Sequence, residues 1–231
     1  MTISNVSINV DFNKKFGRWM NVLKEDIFEK EFSSLLFDIE EEYNNYIVYP
    51  NKDDIFKAFQ LCDPDNLKVV IVGDEPFCNG RSNGLAYGSK NDFDKMHPET
   101  ELILNCVEKQ FYEGFNLTKD PTLNEWAQQG VLLLNKSLTV RDNYPKSHEQ
   151  LWDDMMINII QSIDYYYQGI IFLFLGVHAK KLRKHISEEY NLALEYIAPK
   201  TSIEMNLKWD CPHFKHINKL LTKNKKVEII W

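Results

Sequence analysis

The residues best suited to chemistry in this 231-residue chain fall in four polar segments, each directly after an apolar run. The first is Gly73-Asp74-Glu75-Pro76-Phe77-Cys78-Asn79-Gly80-Arg81-Ser82-Asn83-Gly84-Leu85-Ala86-Tyr87. The others are Asn135-Lys136-Ser137-Leu138-Thr139-Val140-Arg141, Gly176-Val177-His178 and Ala198-Pro199-Lys200-Thr201-Ser202-Ile203. Brought together, they line one cleft with two acids, an amide, aromatic faces and cations. Adjacent carboxyls such as Asp74 and Glu75 suit general acid–base work. Neither a G-x-G-x-x-G nor a Walker sequence occurs, which argues against a nucleotide cofactor. Cys62, Cys78, Cys106 and Cys211 form no C-x-x-C pair, and the six histidines build no recognisable ligand set, so neither a metal nor any other cofactor is expected.

The apolar runs are Leu67 to Val72, Val131 to Leu134, Gly169 to Leu175 and Leu192 to Ile197. Amphipathic segments of helical length lie near Glu99 to Tyr112, Leu151 to Tyr166, His178 to Glu188 and His213 to Thr222. Continuous apolar strands alternating with helices predict a three-layer α/β/α sandwich around a central four-stranded parallel sheet. In such sheets ligands gather at the carboxyl ends of the strands, where the four polar segments begin. Before Leu67 the chain reads as helices, with aromatic anchors at Phe16 and Trp19, an acidic stretch from Ile27 to Tyr43, and a helix capped by Asn51. One domain over 1–231 is expected, residues 1–66 forming a helical part packed on the sheet.

With 44% hydrophobic and 26% charged residues, the composition excludes a disordered or fibrous protein. No apolar run approaches the roughly 20 residues that span a bilayer, and Met1 to Asp11 lacks a secretory pattern. A soluble, cytoplasmic monomer without membrane contacts is the expectation. The 27 Lys and Arg against 34 Asp and Glu, a net charge of −7, disfavour unselective polyanion binding. Two basic clusters, one over Lys180, Lys181, Arg183 and Lys184 and one from Lys215 to Lys226, read as solvated faces.

At the four polar segments the sequence resembles the uracil-DNA glycosylases of the family-1 type. The likeness is carried by Leu67 to Gly73, by Gly130-Val-Leu-Leu-Leu-Asn135 with Leu138-Thr-Val-Arg141 and Ser147-His148, and by Cys211-Pro-His-Phe214, Asn218-Lys-Leu-Leu221 and Ile230-Trp231. It runs from about Trp19 to the C-terminus in motif order. The resemblance implies a monofunctional DNA glycosylase that flips a pyrimidine nucleotide out of the duplex and hydrolyses its N-glycosidic bond, leaving an abasic site. DNA is the implied partner.

The departures from the family pattern are as informative. Where the family reads GQDPYH, this chain has Gly73-Asp74-Glu75-Pro76-Phe77-Cys78, so Glu75 stands at the water-activating Asp and Asp74 replaces an amide. Either acid is a candidate for positioning water and stabilising an oxocarbenium-like sugar. Where the family reads HPSPLS, this chain has Ala198 to Ile203, and the imidazole that stabilises the leaving base is Ala198. Lys200 is a candidate for a phosphate or for the base itself, and Ser202 stands at the wedging Leu, with Ile203 or Met205 as its apolar substitute. Asn135 aligns with the amide that reads the pairing edge, and its two orientations match uracil or cytosine. Tyr87 aligns with the stacking aromatic, and Phe77 with the Tyr that guards C5. Cys78 opens a loop to Asn83 that is one residue shorter than the family's. His148 resembles a family position near the DNA backbone, where it makes either a phosphate contact or a structural hydrogen bond, and Lys136 is a further candidate DNA contact.

These changes point to a rebuilt pocket, and the substrate read from them is a C5-substituted cytosine, such as the glucosylated base of some phage DNA, which would make the protein an antiviral defence factor. The alternatives are a uracil-DNA glycosylase of base-excision repair and a catalytically silent DNA-binding relative.

Overall fold

A computed structural model describes residues 15–23, 25–92, 94–113, 115 and 119–231. The N-terminal segment Met1 to Asp11 lies outside the described residues. In chain order the helices are α1 (Glu25–Asn45), α2 (Lys57–Leu61), α3 (Pro98–Phe111), α4 (Asn124–Gln128), α5 (Glu149–Tyr166), α6 (Pro199–Glu204) and α7 (His213–Lys223). The strands are β1 (Val48–Tyr49), β2 (Val69–Gly73), β3 (Val131–Asn135), β4 (Val140–Arg141), β5 (Ile171–Leu175) and β6 (Leu192–Tyr196).

The four apolar runs form one parallel sheet in the order β3-β2-β5-β6. Every residue of β2, β3 and β5 is buried, because helices cover both faces and leave no side that must face water. The helices form mutually packed groups, α1 with α5, and α3 with α6 and α7. Along α5 the buried side chains Trp152, Met155, Met156, Ile159, Ile160 and Ile163 recur at three- and four-residue spacing, one apolar stripe laid on the core. Phe172 and Phe174 are fully buried on β5, and truncating either to Ala should cost about 3–5 kcal/mol. Ahead of the sheet, Phe16, Phe32, Phe56 and Phe59 pack ring against ring, and Trp19 donates its Nε1–H to the Cys62 carbonyl at 2.8 Å.

Three local readings differ from the structure. Asn51 makes no side-chain cap, and its segment is a short 3₁₀ turn, Lys52–Asp54, followed by α2. The segment after His178 winds as a 3₁₀ helix, Ala179–His185. The two-residue strands β1 and β4 pair antiparallel beside the main sheet, too short to show a period in the sequence.

The β1–β4 corner is locked by a buried polar chain. Trp152 Nε1–H donates to Thr139 Oγ1 at 2.8 Å, the Thr139 hydroxyl lies 2.8 Å from His148 Nδ1, and His148 Nε2 lies 3.0 Å from Glu42. Arg141 clasps the same Glu42 carboxylate with two bonds of 2.6 and 2.8 Å. This corner fixes the start of the loop from 142 to 147, which borders the cleft. Among the described residues no helix is long and apolar enough to cross a membrane.

Candidate active site

A cleft of about 560 Å³ opens at the carboxyl ends of the parallel strands. Its lining draws on every one of the four polar segments: Asp74 to Asn79 and Tyr87 after β2, Ser137 after β3, Val177 and His178 after β5, Ala198, Lys200 and Thr201 after β6. Loop residues Pro145 and Lys146, with His97 and Glu99 at the start of α3, Glu149 at the start of α5 and Glu204 at the end of α6, complete it.

The two adjacent acids have opposite roles in this geometry. Asp74 turns inward, where the Ala179 backbone N–H donates to its Oδ1 at 2.7 Å. Burial pushes its carboxyl above the usual range, against the pull of the Ala179 N–H and of His178. Gly176 makes this seat, since with φ of +113° a Cβ there would stand 2.8 Å from both Asp74 oxygens. Glu75 instead reaches the cleft, its side chain 14% exposed. The Lys146 N–H donates to Glu75 Oε2 at 2.5 Å, and Lys200 Nζ lies 3.6 Å from Oε1.

The aromatic wall is equally specific. Phe77 stacks on His97 with ring centroids 3.5 Å apart and 18° between planes. Burial, then Arg81 and Lys200, lower the His97 imidazole to about 4, so it is neutral at pH 7. Tyr87 has φ of +62°, a left-handed backbone, and its carbonyl accepts from Thr100 Oγ1 at 2.7 Å while its hydroxyl donates to the Leu175 carbonyl at 3.1 Å. Those tethers hold a conformation that a bulky residue does not adopt freely. Asn135 ends β3 and is nearly buried, behind the cleft lining and against Gly73, where a Cβ would meet its Oδ1 at 2.6 Å.

Three residues expected at a DNA surface are buried. Lys136 is 3% exposed and pairs with Glu149 and Asp153, because the chain after β3 turns it under α5. His148 is the inner link of the Glu42 network, and burial lowers its imidazole. Ser202 faces inward from α6, its hydroxyl buried without a hydrogen-bond partner among the described residues, while Ile203 and Met205 stand exposed at the rim. Cys78 and Ala198 line the cleft as expected. The basic cluster after β5 is neutralised, Lys180 and Arg183 by Glu195 and Lys181 by Glu149.

Sequence reasoning missed Glu99, His97, Lys146 and Glu149 as members of the site. Glu149 accepts from Lys181 at 3.0 Å and lies 2.7 Å from His178 Nδ1, and although burial opposes it, these partners bring its carboxyl down to about 2. Acids at helix starts look like ordinary complements to the helix dipole, which is why Glu99 and Glu149 carried no functional mark. No cluster of three or more metal-ligating side chains occurs among the described residues.

The family model described as "Uracil DNA glycosylase superfamily" matches residues 59–229, which include all four strand-end segments. The chain belongs to this superfamily. A uracil-DNA glycosylase of Fusobacterium nucleatum is 36% identical over 216 residues, 92% of this chain and 94% of the relative. One of Mycoplasmopsis pulmonis is 34% identical over 221 residues, 94% and 98% of the two chains. The crystal structure of mimivirus uracil-DNA glycosylase superposes with a TM-score of 0.82 at 20% identity, covering 96% of this chain and 89% of the viral one, which shows the shared fold. Within the superfamily chain the matched segments and the cleft coincide: β2, β3, β5 and β6 deliver them to the same end of the sheet.

Proposed function

We propose that the protein is a DNA glycosylase that binds DNA, takes a flipped-out pyrimidine nucleotide into this cleft and hydrolyses its N-glycosidic bond, leaving an abasic site. The observation that carries the reading is the placement of Glu75. It reaches into the cleft with one oxygen held by the Lys146 N–H and the other facing Lys200, whereas Asp74, which also lines the cleft, gives Oδ1 to the Ala179 N–H and is seated against Gly176. In the mechanism, Glu75 orients water toward C1′ and stabilises the positive charge that develops on the sugar as the bond to the base stretches. Tyr87 and Phe77 supply faces for the base, Lys200 contacts the phosphate, and Ile203 with Met205 supply an apolar surface beside the gap in the stack, while Asn135 would have to be reached past the present lining to read the base edge.

Kinship supports uracil as the base, since the similar proteins carry that name across nearly the whole chain. A second reading has its own observation. The cleft is several times the size of a bare pyrimidine, Ala198 replaces a bulky imidazole, and Glu75, Glu149 and Glu204 offer acceptors suited to hydroxyl groups. That lining favours a C5-substituted cytosine bearing hydroxyls, including glucosylated phage cytosine, and with it a role in defence against phage.

The test is alkali-revealed abasic-site formation on parallel DNAs containing uracil, unmodified cytosine, and glucosylated hydroxymethylcytosine. Cleavage of uracil DNA supports repair, cleavage of the modified DNA alone supports the second reading, and cleavage of none overturns the glycosylase proposal.

A further inference from the structure

Departure of a pyrimidine leaves negative charge on the base, and the position where an imidazole would meet it is Ala198, which has nothing to offer. Another titratable group stands beside that gap. Glu99 lies in the first turn of α3, α3 packs on α6, and α6 begins directly after Ala198. Glu99 lines the cleft together with Glu75, Phe77, Tyr87 and Ala198, and its carboxylate accepts the Lys200 backbone N–H. We infer that Glu99 is the acid that delivers a proton to the departing base, taking over at Ala198's side of the cleft the charge stabilisation that Ala198 has lost. This rests on the glycosylase reading and adds a second catalytic residue to it.

The surroundings fit the role. Asp74 and Glu75 face Glu99 from the loop after β2, Lys200 faces it from α6, and Tyr87 and the neutral His97 flank it. Burial and the two carboxylates outweigh Lys200, so the Glu99 carboxyl is pushed up to about 7 and carries its proton near neutrality. Two cationic or imidazole donors of the cleft face carboxylates instead: His178 lies against Glu149 and Lys200 against Glu75. In the reaction the water oxygen bonds to C1′ as the C1′–N bond breaks. The electron pair of that bond moves onto the base, whose carbonyl oxygen takes the Glu99 proton. The proton lost by the water passes to Glu75. The base leaves neutral, and solvent returns Glu99 and Glu75 to their starting states.

The experiment is the pH dependence of single-turnover base release by the wild type and Glu99→Gln, on whichever DNA the wild type cleaves. The wild-type rate should fall above about pH 7, by about tenfold per pH unit. Glu99→Gln should be slower by roughly 10²-fold at pH 6, with little change in DNA affinity, and should lose that limb. A merely structural Glu99 would lower activity without changing the shape of the profile. Stability gives an independent readout. Between about 4.5 and 7 the folded state holds a proton that the unfolded state releases, so wild-type stability falls as pH rises through this window. Glu99→Gln should remove the slope and be the more stable protein at pH 8. A wild type that acts while Glu99→Gln keeps its pH profile overturns this inference alone, as does a Glu99 carboxyl that titrates near 4.5 by carbon-13 NMR. A wild type that forms no abasic site on any DNA overturns the glycosylase reading with it.

Discussion

The loop after β2 and the loop after β6 meet across the same cleft, and they are built on different principles. In the first, main-chain groups seat the acids: Ala179 N–H holds Asp74, Lys146 N–H holds Glu75, and the Gly73 and Asp74 carbonyls accept from Lys136 and Ser137 N–H at 2.8 and 3.1 Å. In the second, the short helix α6 presents Lys200, Thr201 and Ile203 outward, with Pro199 and Ser202 turned inward. A backbone-made seat accepts any carboxylate of suitable reach, so Glu for Asp is tolerated there. A side-chain-made contact vanishes with the side chain, so Ala198 removes one outright. On the proposed mechanism, the half of the site that handles water is held by the main chain, while the half that meets the base rests on side chains that substitution can remove.

The strongest way to break this comparison is Glu75→Gln, which should lower abasic-site formation on the order of 10²–10⁴-fold, while Asp74→Asn, whose amide oxygen can still accept the Ala179 N–H, should change activity far less and leave thermal stability at neutral pH unchanged or higher. Equal activity losses in both variants would show that the two acids share the water. Next is Gly176→Ala. It combines a disallowed backbone with a Cβ 2.8 Å from the Asp74 carboxylate, and should cost about 1–3 kcal/mol in denaturant unfolding. Restoring an imidazole with Ala198→His should raise release of uracil by roughly tenfold if the second loop is the variable half, measured against the wild type on the same duplex. Lys200→Gln should weaken DNA binding modestly and lower the slope of log affinity against log salt by about 1. At neutral pH the smallest effect belongs to His97. Its imidazole is lowered to about 4, so the unfolded state binds more protons between about 4 and 6.5, and stability should fall as pH drops through that window. His97→Phe should flatten this dependence while matching wild type at pH 7.

Much of the scaffold was legible because each buried strand is a continuous apolar run with a helix-period segment after it. Strand ends were read to within a residue or two, and Glu75, Phe77, Cys78, Tyr87 and Ala198 do border one cleft. The errors have a common cause. Lys136, His148 and Ser202 are polar residues in the right loops, yet each is buried by contacts with distant residues: Asp153 and Glu149, Glu42, and the packing of α6.

By itself the sequence determined the fold class, the four polar loops and the superfamily, since apolar period and motif order are local properties of the chain. Only the tertiary structure decided how each of the two adjacent acids is held in the cleft, which polar side chains are buried, and that Glu99 stands beside Asp74, Glu75 and Lys200. Those outcomes depend on donors and charges brought together from segments far apart in sequence, where burial and Coulomb interaction act through space and leave no mark on residue order.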